Sequence, residues 1–132
     1  MRVHVKIVFD KEKVGFFTVM PSGSIDSDTY LDFREKIAPI LNASTKGIVM
    51  DLSGVDYISS AGLGILFAVK KQLKQQNGDL VFCNLKPQIK RLFEIVNALP
   101  KETMFKNNVE ADAYFYRMMN QTLEKNHEEK EL

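Results

Sequence analysis

Gly47–Gln76, GIVMDLSGVDYISSAGLGILFAVKKQLKQQ, is the stretch on which the reading of the whole chain turns. It opens with an apolar run, Gly47-Ile48-Val49-Met50, closed by Asp51. That length and boundary suit a strand buried on both faces. A loop is expected from Leu52 to Ser59, with Ser53-Gly54 as its turn signal. From Ser60 onward the apolar spacing becomes helical. Ile65, Leu66, Val69 and Leu73 share one face, while Lys70, Lys71 and Lys74 fall elsewhere and read as a solvated face. The unit is strand, loop, helix, with two serines at the helix entrance.

The first backbone N–H groups of a helix have no partner within it, and the aligned peptide dipoles leave partial positive charge there. A serine hydroxyl caps such donors well, and a phosphate is stabilised by the same groups. Ser59 and Ser60 therefore read either as a helix cap or as a site of regulatory phosphorylation. Gly62 and Gly64 each cost roughly 1 kcal/mol in a helix relative to Ala, which suggests a close approach to the backbone. Leu63 and Phe67 lie four apart, off the main apolar stripe. They either pack against a loop or form an exposed apolar patch beside Ser60 suited to a protein partner.

Outward from this unit, Val3, Val5, Ile7 and Phe9 alternate with polar residues as in a half-buried strand. After the polar turn Asp10–Lys13, Val14 to Met20 forms the second strand of a hairpin, ended by Pro21, with Phe16 and Phe17 on opposite faces. Ser22–Ser27 reads as a loop. A helix follows, capped by Asp26 or Ser27, with Tyr30, Phe33, Ile37, Ile40 and Leu41 on its apolar face and Pro39 ending or kinking it. Beyond the central helix, Gly78 marks a stop near the C′ position, and Leu80–Cys83 is another short buried strand. Lys86-Pro87 opens a helix striped by Ile89, Leu92, Phe93 and Val96 and ended by Leu99-Pro100. Met104-Phe105 is a candidate last strand. Val109 to about Glu124 is a final helix, with Ala111, Phe115, Met118, Met119 and Thr122 or Leu123 on one side. The sum is a single α/β domain over residues 1–124, a mixed sheet of about five strands with about four helices packed against it. Residues 125–132 form a charged tail.

A chain of 132 residues suits one core, and 45% hydrophobic residues is too many for disorder. The net charge of +1 gives no electrostatic argument for direct nucleic-acid binding or for a membrane surface. A single cysteine excludes an intramolecular disulfide and a cysteine-cluster zinc site. No apolar run has the length of a membrane span, and the N-terminus does not resemble a signal peptide. A soluble cytoplasmic protein is the expectation.

Catalytic constellations are sparse. Ser60-Ala61-Gly62 carries the second half of a G-x-S-x-G elbow, but Ile58 stands where its first glycine belongs. His4, on an N-terminal strand, and His127, in the tail, are not placed as a base for Ser60. Gly62-Leu63-Gly64 has two glycines of a dinucleotide fingerprint, with Phe67 in the third position, and no phosphate-binding G-x-x-x-x-G-K-[S/T] loop is present. Asp51 ends a strand as a receiver-domain phosphoacceptor does, but the acidic pair of that family is missing, so Asp51 reads as a loop or cap residue. Cys83 reads as an inert core thiol. No enzyme activity, cofactor or metal site is expected.

Val55-Asp56-Tyr57-Ile58-Ser59-Ser60-Ala61-Gly62-Leu63-Gly64 resembles the signature of the STAS domain, in particular that of bacterial anti-sigma factor antagonists, whose pattern is close to D-S-S-G-L-G. Ser22-Gly23-Ser24-Ile25-Asp26 is similar to the family's G-x-L-D element, and Lys90-Arg91-Leu92-Phe93 to its helix after the fourth strand. The likeness extends to about Tyr116. It implies a STAS-like α/β fold and a switch without catalysis of its own. The unphosphorylated protein would bind an anti-sigma factor that is also a serine kinase, with ATP bound by that partner. Phosphorylation would release it and a serine phosphatase would reset it. Counting back from Leu63, the resemblance places the phosphate on Ser60, with Ser59 as second choice. It implies partner contacts at Asp26, Ser59, Ala61, Gly62, Leu63 and Phe67, and a monomer or weak homodimer. Two departures are visible: Ser59 replaces the usual Asp before the phosphoacceptor, and Ala61 a frequent Ser after it. The alternative is a STAS scaffold or accessory subunit of a stress-sensing or lipid-transport assembly, which needs no phosphorylation. For Asp26, capping the first helix and a role toward the serine or the kinase both remain open.

Overall fold

The computed structural model describes residues 2–96 and 104–118. β1 (His4–Phe9) and β2 (Phe16–Ile25) form the antiparallel hairpin, paired from His4↔Ser22 to Phe9↔Phe17. β2 is longer than the sequence suggested. It runs through Pro21 and takes in Ser22–Ile25, read above as loop. Pro21 is tolerated because it falls where β2 changes parallel partners, between the pair Val19↔Met50 and the pair Ser22↔Gly54. A missing N–H disturbs the ladder least at such a place.

α1 (Tyr30–Ile37) buries Phe33 and Ile37, and Pro39 ends it in a 3-10 turn, Ala38–Ile40. β3 (Gly47–Asp51) is buried at all five positions and lies parallel to β2. The next segment corrects the expected loop: Gly54–Ile58 is a strand, β4, parallel to the far half of β2. Its register skips from Gly23↔Val55 to Ser24↔Tyr57, a bulge at Asp56. The bulge breaks the alternation, so both Asp56 and Tyr57 face solvent. Asp51, at the end of β3, accepts the N–H of Ser53 and so holds the turn between the two strands.

α2 (Ser60–Gln75) crosses back over the sheet to β5 (Asp79–Cys83), which is parallel to β3 and also buried throughout. The helix stops in a Schellman turn: the N–H of Gly78 reaches the Leu73 carbonyl at 2.7 Å and that of Asn77 the Lys74 carbonyl at 3.2 Å. The left-handed C′ residue is Asn77, at φ 63°, one position earlier than expected. A Cβ on Gly78 would collide with the Lys46 carbonyl, so Gly78 is fixed by close approach instead. α3 (Pro87–Val96) and β6 (Met104–Phe105), parallel to β5, follow as read. A fourth helix, α4, is described over residues 108–118. The expected stop at Leu99-Pro100, the continuation through Met119, Thr122 and Leu123, and the tail 125–132 lie outside the described residues.

The sheet runs β1-β2-β3-β5-β6, with β4 beside β2, so it has six strands and both pairing senses. Alternation along the strands builds two cores. Ile48, Met50, Leu80 and Phe82 face α1, α2 and α3. Phe16, Val49, Val81 and Cys83 face Ala111 and Phe115 of α4. Phe16 and Phe17 do divide between the two faces.

One reading of the central helix is overturned. Lys70 is not part of a solvated face but is 8% exposed, with its ammonium 2.8 Å from Asp79 Oδ1 and 2.9 Å from the Leu80 carbonyl. Asp79 is fully buried and also receives the Tyr114 hydroxyl at 2.8 Å and Lys74 at 3.2 Å. Burial alone would raise the Asp79 carboxyl. The hydrogen bond and charge of Lys70, the Tyr114 hydroxyl and Lys74 outweigh it and hold the group below its ordinary value. Among the described residues no buried side-chain nitrogen or oxygen is left unpaired.

Candidate functional site

The parallel ends of β2 and β4 meet at Ile25↔Ile58, and the Ser59 N–H donates to the Ile25 carbonyl at 2.9 Å. This fixes Ser59 in extended backbone, φ −84° and ψ 174°, at the N-cap of α2. Its Oγ accepts the Gly62 N–H at 3.3 Å and its carbonyl the Leu63 N–H at 2.9 Å. Ser59 is therefore the cap. Ser60 is the first residue of the helix. It is exposed, and its hydroxyl has no hydrogen bond to the described residues. The two serines thus divide the roles that the sequence left open for both: one holds the helix, the other presents a free hydroxyl.

The glycines divide as well. A Cβ on Gly62 would collide with the Ile25 carbonyl and come within 2.9 Å of Ile25 Cγ2, whereas one on Gly64 would meet nothing within 4 Å. The close approach inferred from sequence is that of the chain's own β2 at Gly62. Ala61 is half-buried. Leu63 is 6% exposed and Phe67 is half-buried against the same core, so they do not form an exposed apolar patch of their own. The exposed apolar residue here is Tyr57, 56% accessible, which was missed because it lies on the unrecognised strand β4.

Beside Ser60 lies a groove of about 400 Å³ lined by the β4–α2 junction and by α3. Asp56, Tyr57, Ile58, Ser59, Ser60 and Leu63 form one wall, and Gln88, Ile89 and Leu92 the other. The α3 wall could not be read locally, because α3 and β4 are some thirty residues apart and meet only in the fold. Lys86, just before α3, forms an ion pair with Asp56 across the groove's edge. No histidine lines the groove.

Asp26 follows Ile25 as Ser59 follows Ile58, so the two residues continue a pair of neighbouring strand ends. Its Oδ1 accepts the N–H groups of Asp28, at 2.9 Å, and Thr29, at 3.1 Å, and its carbonyl accepts that of Tyr30 at 2.9 Å. Asp26 therefore organises the entrance to α1. The formal N-cap, Thr29, makes no side-chain cap.

The site's chemistry is that of an accessible hydroxyl at a helix entrance beside a mostly apolar groove. Burial pushes the Cys83 thiol up to about 12, with Asp51 and Asp112 adding to the effect, so the thiol stays protonated. Among the described residues no cluster of three or more His, Cys, Asp or Glu could hold a metal ion. Nor is any described helix long and apolar enough to cross a membrane.

The sequence and the fold of the chain resemble those of known proteins. The family described as the STAS domain matches residues 10–111. The chain is 36% identical, over 69% of its length and 78% of the relative's, to BtrV of Bordetella bronchiseptica, named as a candidate anti-sigma factor antagonist. It is 32% identical to the anti-sigma-B factor antagonist of Staphylococcus aureus, over 61% of this chain and 74% of that one. Its fold matches that of the Bacillus anti-sigma factor antagonist SpoIIAA, solved in two forms. The TM-score is 0.64 for the unphosphorylated form, at 16% identity over 87% of this chain and 97% of that one. For the phosphorylated form it is 0.66, at 15% identity over 85% and 99%. Matched by the family over residues 10–111, the chain belongs to the STAS domain family.

Proposed function

We propose that this protein is an anti-sigma factor antagonist acting as a partner switch, without catalysis of its own. Unphosphorylated, it binds an anti-sigma factor that is also a serine kinase and carries the ATP. Phosphorylation of Ser60 ends the complex, and a serine phosphatase restores it. The observation that carries the choice of residue is the division of labour at the α2 entrance. Ser59 Oγ is engaged by the Gly62 N–H, while Ser60 is exposed with its hydroxyl free. A kinase can reach Ser60 without dismantling the cap. The relatives' names support the class of partner.

The physics of the switch is local. A phosphoserine carries nearly two negative charges. At the N-terminus of a helix they cost the free domain little, because the dipole and the first N–H groups favour them. In a packed interface they must be desolvated, so the penalty falls on the complex. A coupling of about 3 kcal/mol changes affinity more than a hundredfold. The contact surface proposed is Ser60 and Ala61 with the groove beside them, Ser59 and Leu63 included. Gly62 lets α2 approach β2 beside the groove, and Phe67, one turn beyond Leu63, and Asp26, at the neighbouring strand end, are proposed at its border. The working compartment is the cytoplasm, where an anti-sigma factor acts.

Affinity capture from the native cells tests this reading. Ser60→Ala should retain the kinase partner and stay bound in the presence of ATP. Ser60→Asp should remain folded and lose the partner at least tenfold. Equal capture by both variants and wild type would remove Ser60 from the interface and favour a scaffold or accessory-subunit role.

A further inference from the structure

We propose that Lys86 receives the phosphate on Ser60, leaving Asp56 to do so; this rests on the phosphorylation reading above. Ser60 and Asp56 line the same groove, together with Gln88 from α3. Lys86 lies two residues before Gln88 and reaches across to the Asp56 carboxylate. None of the groove's lining residues is a cation, and Lys86 brings a positive charge to the groove's edge through its pair with Asp56. Lys70 and Lys74 are held by Asp79 near the other end of α2, and Lys36 is held by Asp32.

The present pair is weakly held and easily exchanged. The Lys86 side chain is 35% exposed and that of Asp56 66%, and ion pairs of that kind contribute little to stability. The Lys86 backbone, by contrast, is anchored: its carbonyl accepts the N–H groups of Ile89 and Lys90, each at 2.9 Å, and so starts α3. Only the side chain has to swing, and a lysine offers three donors on a flexible four-carbon arm. A phosphoserine presents nearly twice the charge of a carboxylate and three acceptor oxygens. The displaced Asp56 carboxylate is exposed enough for water to replace the lost partner. The exchange joins the entrance of α2 to the start of α3 across the groove that the unphosphorylated protein offers. It also turns the groove's edge from neutral to about two negative charges.

The test installs phosphoserine at position 60 by genetic-code expansion, with no kinase needed, and follows its second ionisation by phosphorus NMR. In the otherwise wild-type protein the phosphate should titrate roughly half a pH unit lower than in Lys86→Gln, the shift expected for one contacting cation in a wet site. Lys86→Arg should restore the low value, and Lys90→Gln, from the neighbouring turn, should leave it unchanged. Asp56→Asn should lower the value more when Lys86 is present than in the Lys86→Gln background, because it removes the competitor. Identical titration with and without Lys86 overturns the proposal. So does a Lys90→Gln effect as large as that of Lys86→Gln. Because the phosphate is installed directly, such a result counts against Lys86 alone, whereas absence of phosphate on Ser60 in cells counts against the switch.

Discussion

Near its C-terminal end α2 is held by a buried charge, whereas its N-terminal end is capped by one side-chain hydroxyl. Lys70 lies 2.8 Å from a fully buried Asp79, which also takes the hydroxyl of Tyr114 from α4 and the ammonium of Lys74. At the other end Ser59 makes one 3.3 Å cap, and the next residue offers an exposed hydroxyl. The first arrangement ties α2 to β5 and α4, and among the described residues no buried side-chain nitrogen or oxygen is left unpaired. The second leaves a hydroxyl open to solvent, the oxygen proposed above to be phosphorylated. A helix so anchored at its far end can gain a dianion at its near end without losing its place on the sheet.

The largest expected effect lies at the anchored end. Asp79→Ala leaves Lys70 buried without its partner and should cost about 3 kcal/mol or more in urea unfolding. The same carboxylate predicts an acid limb. Asp79 titrates below its ordinary value of 3.8 in the folded state. Its contribution is therefore complete above that value and is lost as pH falls through the lower folded value. Urea midpoints measured downward from neutral pH should show this loss in the wild type and a shallower one in Asp79→Asn.

The glycines sharpen the comparison within the near end. Gly62→Ala drives a methyl into the Ile25 carbonyl and should cost about 1–3 kcal/mol. Gly64→Ala enters open space and should stabilise by about 0.5–1 kcal/mol through helix propensity. Opposite signs in the two melting shifts are the expected result. The serines should differ least. Ser59→Ala loses the cap, about 1 kcal/mol, while Ser60→Ala should stay within about 0.5 kcal/mol of wild type. If Ser60→Ala cost more than Ser59→Ala, the roles assigned to them would be reversed.

The sequence carried much of this. Runs such as Ile48–Met50 and Leu80–Cys83 are apolar because both sheet faces are covered, and that pattern is local. The hairpin, the entrance of α2 and the start of α3 were equally legible, as was the pair of serines. β4 was not: its five residues carry a bulge at Asp56 and two solvent-facing positions, so Gly54–Ile58 shows no alternation. The extension of β2 was hidden by Pro21 and by Gly23, at φ 99° beside that bulge. Lys70 was misread because its partner lies nine residues on, in a strand that only the crossover brings beneath the helix. The groove's second wall, from Gln88, Ile89 and Leu92, was invisible for the same reason. Long-range pairings have no local signature.

The most direct measurement is intact mass and fragment mapping of the protein isolated from its own cells across growth conditions, with Ser60→Ala as control. The account predicts one phosphoryl group, on Ser60 and not on Ser59, absent from the Ser60→Ala protein. No phosphate on either serine under any condition would contradict the switch, and a phosphate on Ser59 would contradict the division between capping and presented hydroxyl.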